Sequence, residues 1–272
     1  MKKKPTNIPH EEQLEPLAFE LMDEQLSDLA NQLMLIDNAD ILYEQSKRIV
    51  GVVVDLKEQM MMYTCAMKQV RTKLQILNAE YNVRHQRNPI TSIQTRLKRI
   101  ASIVDKLDRA GIPFSVENID QNIHDVAGVR VICSYVDDIF TIAEALKSQK
   151  DIDVLVEKDY ISNPKPNGYR SLHLILSVPV YFTNQMRKMR VEVQIRTIAM
   201  DFWATLDHQL KYRQKVTNGE AIAVQLKECA DVISNTDMRM LLIRNQIEEN
   251  TEAPTEMAMM IEKIRNLDKP FD

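Results

Sequence analysis

The chain has 272 residues, 44% of them hydrophobic and 27% charged, with only 5 glycines, which is the composition of a largely helical globular protein with one sizeable core or two small domains. A net charge of −4 argues against nonspecific duplex binding, and no apolar run reaches the length needed to cross a bilayer. Three widely spaced cysteines, Cys65, Cys133 and Cys229, with no Cys-x-x-Cys pair, argue against a disulfide framework or a cysteine zinc site and suit a reducing cytoplasm.

Met1-Lys-Lys-Lys-Pro5 is basic but has no apolar stretch behind it, so no secretion signal is expected. Residues 1 to about 11 are expected to be disordered. From Glu12 to about Glu58 leucines recur at helical spacing, with a break and new N-cap at Asp37-Asn-Ala-Asp40. A second helical pattern, from about Leu56 to Val83, carries the methionine run Met60, Met61, Met62 and Met67, a core or helix–helix seam. Pro89 ends it. A third helix is expected from Thr91 to Ala110, closed by Gly111, with Ile93, Leu97, Ile100, Val104 and Leu107 on its apolar side and Lys98, Ser102 and Lys106 on another.

The period then changes to two. Val126–Tyr135, Val154–Lys158, Arg170–Val180 and Arg190–Thr197 read as strands, with a helix over Asp137–Lys150 completing a crossover unit and a hairpin across Pro179–Lys188. Helix returns from Ile198 to about Lys211 and from about Glu220 to Glu249. The expected fold is α/β in the α+β sense: a mixed β-sheet with flanking helices and long N- and C-terminal helices. We divide the chain into a helical extension (1–55), a catalytic domain (56–213) and a helical tail (214–272).

Alternation sorts the chemistry. Val191, Val193 and Ile195 point into a core, which leaves Glu192, Gln194 and Arg196 on the other face. Tyr169, Ser171 and His173 share a face, so pairing of the two strands would gather Glu192, Gln194, His173 and Tyr169. Just ahead of the strand that carries His173 lies Asn163-Pro-Lys-Pro-Asn-Gly-Tyr-Arg170, a basic loop in which Lys165 and Arg170 suit phosphate oxygens and Tyr169 a base. Asp125 adds a second carboxylate, and two carboxylates among cations suit Mg²⁺ bridging phosphates. No P-loop, GxGxxG, HExxH or GxSxG sequence occurs. Phosphoryl, pyrophosphoryl or nucleotidyl transfer remains, against the alternative of a regulator that binds guanine nucleotide or single-stranded RNA without turnover.

The ordered set Arg96-x-Lys98-x-x-x-Ser102, His124-Asp-Val-Ala-Gly-Val-Arg130, Asn163 to His173 and Glu192-Val-Gln-Ile-Arg-Thr197 resembles the synthetase domain of the RelA/SpoT family. Ala199-Met-Asp-Phe-Trp-Ala-Thr-Leu-Asp-His208 narrows the resemblance to the small alarmone synthetases. It implies a nucleotidyltransferase-like domain, over about Leu56 to Arg213, that transfers pyrophosphate from ATP to the ribose 3′-hydroxyl of GDP or GTP, giving AMP and (p)ppGpp.

By motif, Arg96 and Arg130 would sandwich adenine, and Lys98, Ser102 and Lys106 would face the ATP phosphates. Asp125 would hold Mg²⁺, and Glu192 would contact the metal or take the hydroxyl proton. Tyr169 would stack on guanine, with Lys158, Lys165, Arg170 and His173 near the acceptor's phosphates or the transferred group. Gln194 would support Glu192 or the ribose, and Asp201 would select guanine. His124-Asp125 is not expected to be a hydrolase metal pair, since its further histidines are missing, so synthesis without hydrolysis is expected. The resemblance also implies a homotetramer; the cysteine usage and the lack of a long apolar run lead us to expect a cytoplasmic protein with no membrane partner, and the basic loop and Tyr169 leave single-stranded RNA as a candidate regulator.

Overall fold

The computed structural model describes residues 39–212 and 219–250. The chain divides into two compact units, residues 1–59 and 60–272. The expectations for residues 1–38, for the segment after Tyr212 and for the chain beyond Asn250 lie outside the described residues. Within the first unit, helix α1 begins at Ala39; the helix is continuous to His85, with no break near Leu56. It ends at Gln86, which adopts a left-handed φ of 53° and donates its N–H to the Asn82 carbonyl, three residues ahead of Pro89. In the second unit, the methionine stretch is core as expected: Met60, Met62, Tyr63, Met67, Val70 and Leu74 are buried.

Five strands follow: β1 (Ile90–Leu97), β2 (Ala127–Cys133), β3 (Asp153–Asp159), β4 (Leu172–Tyr181) and β5 (Met186–Thr197). They form one mixed sheet in the order β1-β2-β5-β4-β3, in which only the β2–β5 pair is parallel between neighbours. Helices α2 (Ile100–Arg109), α3 (Val116–Asn122), α4 (Val136–Lys147), α5 (Ile198–Tyr212) and α6 (Gly219–Asn250) surround it. The expected crossover is present as β2–α4–β3, which skips two strands, and the hairpin is β4–β5, closed by Phe182 N–H to Gln185 O at 2.8 Å.

The first strand is a correction. Ile93 and Leu97 have helical spacing, but Ile90, Thr91, Ile93 and Thr95 are β-branched and favour a pleated strand, and β1 pairs antiparallel with β2 along most of its length. The helix begins only at Ile100. It stops as expected: Gly111, at φ +67°, donates to Asp108 O, and Ile112 donates to Leu107 O.

One sheet face is apolar. Val129, Val131, Leu172, Leu174, Leu176, Val191, Val193 and Ile195 are all at most 1% exposed. Each contributes about 1.5–3 kcal/mol by burial. That core fixes the strand registers, because a slip of one residue would carry every one of these side chains to the other face.

A buried ion pair joins the start of α4 to the end of α1. Asp138 is wholly buried and accepts from both terminal nitrogens of Arg87. Removing Arg87 alone strands that carboxylate, so Arg87→Met should destabilise the fold by about 3 kcal/mol. Urea unfolding should show a lower midpoint at unchanged slope, and the double variant with Asp138→Leu should recover most of the loss.

Candidate functional site

The face opposite the core is polar, and the registers order it in two rows. Gln94 (β1), Arg130 (β2), Gln194 (β5), His173 (β4) and Lys158 (β3) lie side by side. In the adjacent row stand Arg96, Gly128, Glu192 and Ile175. Gly128 therefore leaves a floor without a side chain between Arg96 and Glu192.

Two cavities open on this face. The first, of about 450 Å³, is lined among others by Gln94, Arg96, Lys98, Asp125, Arg130 and Glu192. The second, of about 210 Å³, is lined by Val156, Lys158, Tyr160, Lys165, His173, Ile175 and again Glu192. Glu192 is thus a wall common to both.

In the first cavity, Asp125 follows the short helix α3, whose Ser115 side chain caps it by accepting from Asn118 N–H at 3.1 Å. Lys98, in the turn after β1, donates to one Asp125 oxygen at 2.6 Å, and Lys106, on α2, donates to the other at 2.8 Å. Burial pushes the Asp125 carboxyl up, but the two ammonium groups outweigh it and hold it below the ordinary carboxylate range. Arg130 is held by burial and its neighbour Arg196 below the ordinary arginine range, with Asp201 opposing.

The wall itself is a closed circuit of hydrogen bonds. Arg196 donates to the Gln194 side-chain carbonyl (2.7 Å), and the Gln194 amide donates to Glu192 Oε2 (3.0 Å). Glu192 Oε1 lies 3.2 Å from His173 Nδ1, His173 Nε2 lies 2.8 Å from the Tyr169 hydroxyl, and that hydroxyl accepts from Arg196 at 2.5 Å. Burial raises the Glu192 carboxyl, yet His173 and Gln194 together hold it below its ordinary value. Tyr160 packs edge-on to Tyr169 and His173, and the Lys165 ammonium sits 4.6 Å from the Tyr160 ring centre and 4.9 Å from that of Tyr169.

Of the residues expected from the sequence, Arg96, Lys98, Asp125, Arg130, Glu192 and Gln194 converge on the first cavity, and Lys158, Lys165, His173 and Glu192 on the second. Tyr169 joins through His173 and Lys165. Lys106 reaches the first cavity by way of Asp125, whereas half-buried Ser102 is not among its lining residues. Lys98 does not share a helix with Ser102 and Lys106 as expected, because β1 takes the residues before it.

Two residues are placed elsewhere. Arg170 turns away to α6, donating to Ala230 O (3.2 Å) and Asp231 (3.1 Å), because Gly168 brings the loop against that helix. Asp201, in the first turn of α5, lies between Arg196 (3.1 Å) and Arg130 (3.5 Å), where it offsets two like charges. Sequence reasoning missed Tyr160, whose only signal was an aromatic just after a strand. It left Arg196 without a role although alternation had put it on the polar face.

Among the described residues no group of three or more acids, histidines and cysteines is arranged to hold a metal, and no helix is long and apolar enough to cross a membrane. Asp125 and Glu192, two carboxylates on one open polar cavity, nonetheless form a donor set that suits Mg²⁺, an ion commonly held by one or two carboxylates plus substrate phosphates.

The mixed sheet and its paired cavities define an α/β protein with a cation-rich site across one sheet face. Residues 95–217 match the sequence profile of the region found in RelA/SpoT proteins. The GTP pyrophosphokinase YwaC of Bacillus subtilis is 42% identical over 194 residues, 71% of this chain and 92% of that one. The small alarmone synthetase 1 of B. subtilis has been solved bound to its product pppGpp (34% identity, TM-score 0.62, 68% and 94% of the two chains) and bound to AMPCPP (31%, 0.60, 71% and 98%). The chain belongs to the RelA/SpoT family, among its small alarmone synthetases.

Asp125 gives the site a measurable pH signature. Its folded-state pKa is depressed, so its contribution to stability is fully present above the unfolded value and fades as pH falls through the folded one. Asp125→Asn should cost about 1–2 kcal/mol near neutrality. In chemical denaturation from pH 7 to pH 2.5, its gap to the parent should hold steady above about pH 4 and narrow below it.

Proposed function

We propose that this GTP pyrophosphokinase transfers the β,γ-pyrophosphate of ATP to the ribose 3′-hydroxyl of GDP or GTP, releasing AMP. The observation that carries this reading is the position of Glu192, which lines both cavities at once. ATP occupies the larger cavity, with Arg96 and Arg130 flanking adenine and Lys98 and Lys106 at its phosphates. The guanine nucleotide occupies the smaller one, with Tyr169 stacking on guanine and Lys158, Lys165 and His173 near its phosphates. The AMPCPP and pppGpp bound by the B. subtilis relative support the same pair of ligands here.

Glu192, ionised and held by two donors, accepts the 3′-hydroxyl proton as that oxygen bonds to the β-phosphorus of ATP. The bond from that phosphorus to the oxygen bridging the α-phosphate breaks, and AMP leaves. Lys98 and Lys106, which grip Asp125 in the nucleotide-free protein, have phosphate oxygens as alternative partners. Mg²⁺ held by Asp125 and Glu192 would neutralise charge building on the transferred group. Lys165 sits beside Tyr169, where a base would stack, and its ammonium has the phosphates of the incoming nucleotide as alternative partners.

We further propose a cytoplasmic protein that synthesises without hydrolysing and assembles as a homotetramer. Exposed apolar side chains on α5 (Phe202, Leu206, Leu210) and α6 (Val224, Val232, Leu242, Ile247) support self-association. Light scattering should give four times the chain mass; a monomer would refute the assembly.

Incubation with ATP, Mg²⁺ and GDP should yield AMP and a guanosine bearing a 3′-pyrophosphate. Release of free pyrophosphate with an adenylylated product would overturn the reading. Glu192→Gln should lower turnover by at least about 100-fold while the thermal melt stays near the parent's.

A further inference from the structure

We infer that Arg196 is the positioning residue of the catalytic wall: it sets the direction of the whole hydrogen-bond circuit and so holds Glu192 as a double acceptor. The inference rests on the reading of Glu192 as the proton acceptor, and part of its test is independent of that reading.

Arg196 is 4% exposed and spends its donors on four partners: Ser171, Asp201, Gln194 and Tyr169. A guanidinium only donates, and a carboxylate only accepts. The two chains of contacts between Arg196 and Glu192 therefore have fixed ends. In the shorter one, Arg196 claims the Gln194 carbonyl, so the amide nitrogen must face Glu192, as it does. A flipped amide would set an oxygen against the carboxylate and an N–H against the guanidinium. In the longer one, the Tyr169 hydroxyl already accepts from Arg196, so its own proton goes to His173 Nε2. His173 must then carry its proton on Nδ1, where it donates to Glu192 Oε1.

Both oxygens of Glu192 thus receive a proton donor whose orientation traces back to one buried cation. The carboxylate is aimed, and its ionised form is favoured. Asp201 keeps that cation neutralised from behind, and buried Ser171 holds its Nε edge, so the fork cannot rotate out of register. Lysine at this position would keep the charge but has a single nitrogen, which cannot hold Gln194, Tyr169 and Asp201 in one plane.

The test compares the full-length parent protein with Arg196→Lys, Tyr169→Phe and the double variant. Turnover and both KM values are measured at pH 8, with melts to confirm folding. Arg196→Lys should lower kcat at least about tenfold and move each KM less than about threefold, since Glu192 loses an oriented donor while the nucleotide-binding residues stay in place. Because Tyr169 and Arg196 act in one circuit, the double variant should lose no more than about twofold beyond the worse single variant. A kcat within twofold of the parent in Arg196→Lys, or losses that multiply in the double variant, would overturn the inference.

The independent arm is nitrogen NMR of labelled histidine at pH 8 without nucleotides. His173 should be protonated at Nδ1 in the parent and should lose that single tautomer in Arg196→Lys. An Nε2-protonated His173 in the parent would sink the circuit whatever the kinetics show. The expected tautomer together with full activity in Glu192→Gln would instead leave the circuit standing and remove Glu192 as proton acceptor.

Discussion

Everything at this site depends on the register of β5. This strand pairs parallel with β2 on one side and antiparallel with β4 on the other, so it alone touches both cavities. Its apolar residues are locked into the core, and the alternate residues Glu192, Gln194 and Arg196 are thereby aimed at the polar face. A central strand buried on one side is a rigid mount for the Glu192 carboxylate. The hydrophobic core thus sets the geometry of the chemistry without taking part in it.

Flanking the strand are two environments held by different contacts. On the β2 side, Arg130 and Asp201 are fixed against Arg196, and Asp125 is braced by two lysines. On the β4 side, the loop from Asn163 to Arg170 is held by a tight turn at Gly168, with φ +87°, by the contacts of Arg170 with α6, by Asn167 with Asp207 on α5 and by the Tyr169 hydroxyl in the circuit. A β-carbon on Gly168 would fall 2.5 Å from the Ala230 side chain, so the loop lies as close to α6 as its backbone allows. The tail helix is therefore part of the site's architecture, since it fixes the base of the loop that carries Lys165 and Tyr169.

Much of this could be read from the residues. Period-two alternation in Arg190–Thr197 and Tyr169–Leu176 predicted which side chains share a face, because one face of each strand had to be apolar. Gly111 and Pro89 marked two helix ends through backbone stereochemistry. What failed did so where local pattern is ambiguous or the partner is distant. Ile93 and Leu97 fit a helix and a strand equally, and only pairing with β2 decides between them. Arg170 looked like a phosphate ligand because it sits in a basic loop. Its partners, Ala230 and Asp231, are 60 residues away in sequence and lie on a helix whose packing no short-range signal reveals.

Arg196 shows the same limit from the other direction. Alternation placed it with Glu192 and Gln194, but at the far end of the strand, where an arginine usually reaches solvent. Its value comes from being buried. Desolvated and matched by Asp201, it cannot relax toward water, so its donors stay committed to Tyr169 and Gln194. A polar network in the interior is costly when any member lacks a partner and specific when all are satisfied. Here the satisfied state leaves both oxygens of Glu192 facing fixed donors at the boundary of two cavities. An exposed glutamate could sample many rotamers, whereas this one is confined to the wall that the two cavities share, which is the geometry the proposed transfer requires.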